Sequence, residues 1–285
     1  MTATLPPRLT RRPARRHVLP GLNLTLGYAT LYLSVIVLVP LAALVLKAAS
    51  LGPEGMVPAV ATPRILSALR LSFLTSLAAS LINVPIGLTI AWTLSRYRVP
   101  GRRLVDALID LPFALPTAVA GITLTTLLAP NGWLGAPLAE AGLRVAYTPL
   151  GIVVALVFIG LPFVVRSLQP VLEDLGPEPE EAALSLGATP AQTFWRVTLP
   201  ALYPALLSGF TLALARTVGE YGSVVFISGN LPFRTEIAPL VIVGKLEQYD
   251  YAGAAAVAVA MLLISVTLLL IANTAQARLG RRGER

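Results

Sequence analysis

Six stretches of this chain, residues 24–46, 71–95, 111–129, 145–165, 197–215 and 251–277, each run for about twenty residues or more without a charge. A helix needs about 20 apolar residues at roughly 1.5 Å each to cross a hydrocarbon core of about 30 Å. The rest of the composition leaves few other options. Hydrophobic residues make up 55% of the sequence and charged ones 13%, against about 25% charged in an ordinary soluble domain. A water-soluble fold of this size has too little interior to hide that much apolar surface. The predicted fold is therefore all-α: a polytopic membrane protein with six transmembrane helices. The third run continues without charge to Ala139, but Pro130-Asn131-Gly132 is a turn signal that should end the span near Ala129.

The charges report topology. Net charge is +8, and a basic chain can signal a nucleic-acid partner, yet the arginines sit in blocks at the ends of apolar runs. Arg8, Arg11, Arg12, Arg15 and Arg16 precede the first run; Arg278, Arg281, Arg282 and Arg285 follow the last. With a cytoplasmic N-terminus, the inner segments hold fifteen of the 22 basic residues and the outer loops six, with Arg216 in or near a span. The positive-inside rule then places both termini of a multi-pass membrane protein in the cytoplasm, and no nucleic-acid partner is expected. The first run exceeds the 7–15 residues usual for a signal-peptide core, so it is read as an uncleaved span. The expected segments are a basic cytoplasmic stretch at 1–22, the first span with an outer loop at 23–69, a core at 70–275 and a basic tail at 276–285.

Several chemistries are excluded at the outset. There is no cysteine and one histidine, His17, in the basic leader, so thiolate or His-cluster metal sites and a His-based triad are not expected. Asp106 and Asp110 fall near the cytoplasmic edge of the third run, which leaves no intramembrane carboxylate dyad. No metal, cofactor or covalent chemistry is predicted. A nucleotide-binding P-loop requires G-x-x-x-x-G-K-[ST], and neither lysine, Lys47 or Lys245, lies in one.

The segment 171–200, between the fourth and fifth runs, is unusual for a plain connector. Pro179 with Glu180 and Glu181 suits a helix start, because acidic side chains favour the positive end of the helix dipole. Ala182, Ala183 and Leu186 form a small apolar face. Gly187 is placed to end the helix in a left-handed conformation. Thr189-Pro190-Ala191-Gln192 matches a capping box, so a second short helix carrying Phe194, Trp195 and Val197 should begin there and stop near Leu199-Pro200. A helix lying on lipid usually carries Lys and Arg on its polar face. This one is acidic, with small residues that admit another surface closely. Docking to a protein is the better reading.

Glu181-Ala182-Ala183, then Gly187, then Val197 and Leu199-Pro200 at their spacing resemble the EAA signature of binding-protein-dependent ABC permeases. Val197 stands where isoleucine is common. The resemblance implies a type-I ABC importer permease fold, with Glu181, Ala182, Ala183, Gly187, Leu199 and Pro200 in a coupling helix that docks on a separate cytoplasmic ATPase dimer. Further on, Gly219-Glu220, Gly222 and Gly229-Asn230 are similar to molybdate and sulfate permeases alike. Arg234-Thr235-Glu236-Ile237-Ala238-Pro239 and Lys245-Leu246-Glu247-Gln248-Tyr249-Asp250-Tyr251 look more like the sulfate/thiosulfate type. The implied activity is ATP-driven import of sulfate or thiosulfate by alternating access. The implied partners are a second, related permease and a periplasmic or lipid-anchored binding protein. Rival readings are a molybdate or tungstate permease and, from another class, an ion-coupled secondary anion transporter.

Within the outer half, Arg216 and Glu220 stand at i and i+4 and can neutralise each other on a helix. An ion pair at this depth is either part of a gate, with Gly219 and Gly222 allowing a break, or a structural tie between helices. Ser223, Ser228 and Asn230 offer neutral donors that suit a dianion in transit, or that serve helix contacts.

Overall fold

The computed structural model describes residues 22–283, and among them all regular structure is helical. The chain divides at Leu44–Val45 into two units. The first belongs to α1 (Leu22–Ala49), which is apolar on every side and has no polar stripe to face water. The basic leader at 1–21 lies outside the described residues.

The second unit is built on three long helices, α3 (Pro63–Arg96), α7 (Pro149–Leu175) and α10 (Leu199–Val218). Between α1 and α3 runs the short α2 (Gly52–Val60). α7 packs against both α3 and α10, which also touch each other, and glycines let the three approach closely. A Cβ on Gly87 of α3 would stand 2.7 Å from Val164 Cγ1, and one on Gly209 of α10 would stand 3.0 Å from Val164 Cα. Two apolar clusters flank this contact. One joins Ala91, Leu94, Val165, Leu168, Leu172, Leu202 and Leu206; the other joins Ile65, Leu69, Leu214 and Val218 to Val241 and Met261. The latter two come from α12 (Ala238–Glu247) and α13 (Tyr251–Gly283).

The uncharged runs located the spans but under-measured them. α3 begins at Pro63 and α7 ends at Leu175, each well beyond the uncharged stretch inside it. Their added turns carry arginines that are paired: Arg64 with Glu236, and Arg166 with Asp106 and Asp110. A charge rule stops a helix too early when the charges neutralise each other.

The third run differs from the expectation of one straight span. It splits into α4 (Arg102–Ala114) and α5 (Thr117–Leu128), bent by 112°. The reason is local. Pro116 has no N–H for the ladder and pushes the preceding residue out of the helical region, and Leu115 accordingly has ψ 135°. The end of α5 falls where the turn signal placed it, with Ala129 as its cap; α6 (Gly135–Glu140) follows. Among the described residues, five helices are long and apolar enough to cross a membrane, and six if the bent pair counts as one.

Candidate functional site

Two places in the second unit gather the residues singled out above. The first is the hairpin between α7 and α10. α7 ends at Gly176 (φ +62°), and α8 (Glu178–Ser185) follows with Glu178, Glu180 and Glu181 in its first turn. Gly187 is left-handed at φ +87°, with nothing within 4 Å of where a Cβ would stand. The Gly187 and Ala188 N–H groups donate to Leu184 O and Ala183 O, closing the helix end. The capping box is present. Gln192 N–H donates to Thr189 Oγ1 at 3.3 Å, and Thr189 N–H donates to Gln192 Oε1 at 2.9 Å.

The expected stop at Leu199-Pro200 does not occur. α9 (Pro190–Thr193) runs through a π turn (Phe194–Thr198) straight into α10, as one helical stretch from Pro190 to Val218. Pro200 falls in the first turn of α10, and the π turn precedes it. In that wider turn Leu199 N–H donates to Phe194 O, five residues back. A π bulge absorbs the irregularity that a proline introduces into the ladder. The second arm of the hairpin, from Pro190, is thereby continuous with α10.

Its outer face is free. Glu181, Ala182 and Gly187 are exposed, Ala183 is half-buried, and Leu186 at the tip is 89% exposed. Leu199 is half-buried and Pro200 exposed at the root. An exposed apolar tip, with the exposed carboxylates of Glu178 and Glu181 at the start of the same short helix, suits a protein surface that offers a small apolar pocket and basic residues.

The second place is the turn after α10. The helix ends at Val218, so Arg216 and Glu220 do not meet along a helix face; Glu220 lies in the turn beyond. They do pair: Arg216 Nη1 stands 2.7 Å from Glu220 Oε2. The other carboxylate oxygen accepts from Ser223 N–H at 3.0 Å and from Ser223 Oγ at 3.2 Å. Glu220 is buried and Gly219 exposed. Gly222 packs against Thr117 at the start of α5, where its missing Cβ leaves room for the Thr117 side chain. After the single-turn α11 (Val224–Ile227), Ser228 Oγ donates to Asn230 Oδ1 at 2.6 Å, and Asn230 Nδ2 donates to Val225 O at 2.9 Å. Asn230 itself is left-handed, at φ +56°. The donors of Ser223, Ser228 and Asn230 are thus engaged within the chain in this conformation. Ser72 Oγ accepts from Ala238 N–H and Arg64 holds Glu236, so the segment leading to α12 is tied to α3.

Residues 83–285 match the family described as binding-protein-dependent transport system inner membrane component. The chain belongs to that family. It is also 49% identical over 267 residues to the sulfate transport system permease protein CysT of Salmonella typhimurium, covering 94% of this chain and 96% of that protein. Identity to the protein of the same name from Synechocystis is 51% over 252 residues, covering 88% of each. In fold it is similar to a bacterial alginate ABC transporter crystallised in complex with an alginate pentasaccharide-bound periplasmic protein. That similarity has a TM-score of 0.74 at 18% identity, over 90% of this chain and 94% of that one. The type-I ABC importer permease fold is therefore the fold of this multi-pass membrane permease, whose role is transport rather than catalysis.

Several ties in this permease escaped the sequence reading, because their partners are far apart in the chain. Arg166 is bidentate to Asp110, at 2.9 and 2.6 Å, and donates to Asp106 Oδ1 at 3.0 Å, which fastens α4 to α7. Arg96, the last residue of α3, donates to Glu180 and to two carbonyls near the end of α7. A buried polar stripe, Ser72, Ser76, Ser80 and Asn83, runs along α3. Its helical spacing was the available signal, hidden in a run chosen for lacking charge.

Asp250 caps α13, accepting from Gly253 N–H at 2.9 Å and from Lys245 Nζ at 2.8 Å. The Lys245 ammonium first, and then the Gly253 N–H, hold its carboxyl below the ordinary value of 3.8. A depressed folded-state pKa contributes stability that is complete above the unfolded value and is lost as pH falls through the folded one. At neutral pH, Asp250→Asn should lower the thermal midpoint in detergent by about 2 °C. That gap should narrow only below pH 3.8. A gap unchanged down to strong acid would show that the carboxylate charge is irrelevant to the cap.

Proposed function

We propose that this chain is a pore-forming permease subunit of an ATP-driven sulfate importer, with both termini in the cytoplasm and the hairpin at 171–200 docked on a separate ATPase dimer. The observation that carries the reading is the near-half identity to sulfate transport permeases along almost the whole chain. An exposed, acidic, small-residue hairpin whose second arm, α9, is continuous with α10 supports it. A binding protein on the outer side selects the anion, and a second permease completes the pore. Closure of the ATPase dimer moves the hairpin, and the movement passes up α10 to the Arg216–Glu220 turn. There Gly219, Gly222, Ser223 and Asn230 form part of the outer gate. In the outward-open state the Ser223 hydroxyl and the Asn230 amide turn from Glu220 and the Val225 carbonyl to the anion. Neutral donors bind a dianion weakly enough to release it.

Radiolabelled sulfate uptake in a strain lacking this gene tests the proposal. The wild-type chain restores uptake; excess thiosulfate reports on a shared pathway, and excess molybdate leaves uptake unchanged. Gly187→Asp places a carboxylate where docking is closest, and Asp tolerates the left-handed conformation better than most residues. An unpaired charge in such an interface costs about 2 kcal/mol, roughly thirtyfold in affinity. Uptake is therefore lost at normal membrane abundance. Full uptake with Gly187→Asp would refute the docking role, and competition by molybdate alone would reassign the anion.

A further inference from the structure

The hairpin can transmit force only if it is held rigidly at both ends. At its α10 end the chain itself does this, through the unbroken π turn. The α7 end is different. Gly176 is left-handed, α8 begins two residues later, and Gly187 at the far end of α8 is left-handed too. An eight-residue helix between two such glycines would swivel if nothing else fixed it. Nor does it rest on a packed bed. Beneath it lies a cavity of about 120 Å³ lined by Trp92, Glu180, Leu184, Phe194, Thr193 and Thr198. The hydroxyls of Thr193 and Thr198 are buried there without hydrogen-bond partners among the described residues.

One side chain closes this gap. Arg96 Nη1 donates to Leu172 O in the last turn of α7 at 2.9 Å, and Nη2 donates to Gly176 O at 2.7 Å. Nη2 and Nε also donate to Glu180 Oε1 in α8, at 2.9 and 3.3 Å. Its guanidinium lies 5.7 Å from the Trp92 ring, and Trp92 packs edge-on against Phe194 of the π turn. The two charged side chains are 12% and 17% exposed, so solvent screens the pair little. A planar fork that bonds a carboxylate and two carbonyls at once fixes orientation as well as distance, which a lysine cannot do.

We infer that Arg96 is the positioning residue that locks α8 to the inner ends of α3 and α7, so that a push on the hairpin moves all three core helices together. This rests on the docking reading above and adds its mechanical condition. Without Arg96, α8 still docks but swivels about Gly176, and nucleotide hydrolysis no longer drives the pore.

The test uses the complete transporter, with ATPase, partner permease and binding protein, reconstituted in proteoliposomes. The variants are Arg96→Gln, Arg96→Lys and Glu180→Gln, and anion transported per ATP hydrolysed is read for each. Arg96→Gln should copurify with the ATPase as wild type does and keep basal hydrolysis. Its transport per ATP should fall about tenfold, within the usual range of coupling between sites. Arg96→Lys, which keeps the charge, should recover only part of the loss. Distances between spin labels at Ser185 and Tyr97 should broaden in Arg96→Gln. Glu180→Gln, which leaves both carbonyl bonds in place, carries the test if Arg96→Gln does not accumulate. Wild-type transport per ATP and a narrow distance distribution in Arg96→Gln, or in Glu180→Gln where it replaces it, would overturn the inference. Failure of the wild-type chain to copurify with any ATPase would instead overturn the function proposed above.

Discussion

Leucine in place of Gly160 is expected to leave almost no folded permease to extract from the membrane. Gly160 lies in α7, one turn before Val164, where α7 is crossed by both neighbours. A Cβ there would stand 2.6 Å from Asn83 Nδ2 of α3 and 3.3 Å from Thr217 Cγ2 of α10. Asn83 has no surface to retreat to, since it is fully buried and its amide has no hydrogen-bond partner among the described residues. Thr217 is equally fixed, its hydroxyl donating to Ala213 O at 2.9 Å. Overpacking a tight core by a methyl group costs about 1–3 kcal/mol. Gly160→Ala should therefore lower the thermal midpoint in detergent by roughly 3–8 °C. Leucine adds three more heavy atoms at the same crossing and must force α3 or α10 away. In a bilayer, small residues at the crossing are what bring helices into contact, so that displacement removes the attraction itself. Thermal denaturation with size-exclusion chromatography decides the matter. A monodisperse Gly160→Leu protein with the wild-type midpoint would show that the three helices are not as closely set as described.

Glu220→Ala should both destabilise the permease and stop transport. The buried carboxylate makes three contacts: Arg216 on one oxygen, and the Ser223 N–H and hydroxyl on the other. Removing it leaves an arginine without its partner in a segment read as crossing lipid, where unpaired charge is costly. Arg216 is 37% exposed, which softens the loss, so about 2 kcal/mol is expected rather than the 3–5 of a fully buried pair. Glu220→Gln retains an acceptor for Ser223 while losing the charge and should lie between. Uptake by Glu220→Ala should fall at least about tenfold, because the turn joining α10 to α11 loses its fixed shape. Wild-type midpoint and uptake in the alanine variant would mean that Glu220 neither holds this turn nor serves a gate.

How much of this was legible beforehand depended on the range of each interaction. The α8 hairpin was readable almost residue by residue: the acidic first turn, the left-handed Gly187 and the Thr189–Gln192 capping box all depend on neighbours within a few positions. Reading failed at Pro200, where a proline normally argues for a stop and a π turn carried the helix through. It failed again at Pro116, where an uncharged run concealed a bend of 112°. The Arg216–Glu220 pair was found by its spacing, yet the helix ends between its members, so the reason for the contact is the turn held by Ser223.

The sequence by itself determined that this chain lives in a membrane and about where its helices run, and it marked one acidic, small-residue hairpin, for which docking is proposed. Those conclusions follow from hydrophobicity and from contacts only a few residues apart, and neither needs the rest of the fold. Only the tertiary structure decided that Arg96 clamps α8, that Arg166 gathers Asp106 and Asp110, and that Gly87, Gly160 and Gly209 set the crossings of three helices. Each of these joins residues tens of positions apart. An arginine at a helix end carries no mark of the carbonyl it will find. A glycine inside an apolar run looks like any other small residue until another backbone is seen to lie against it.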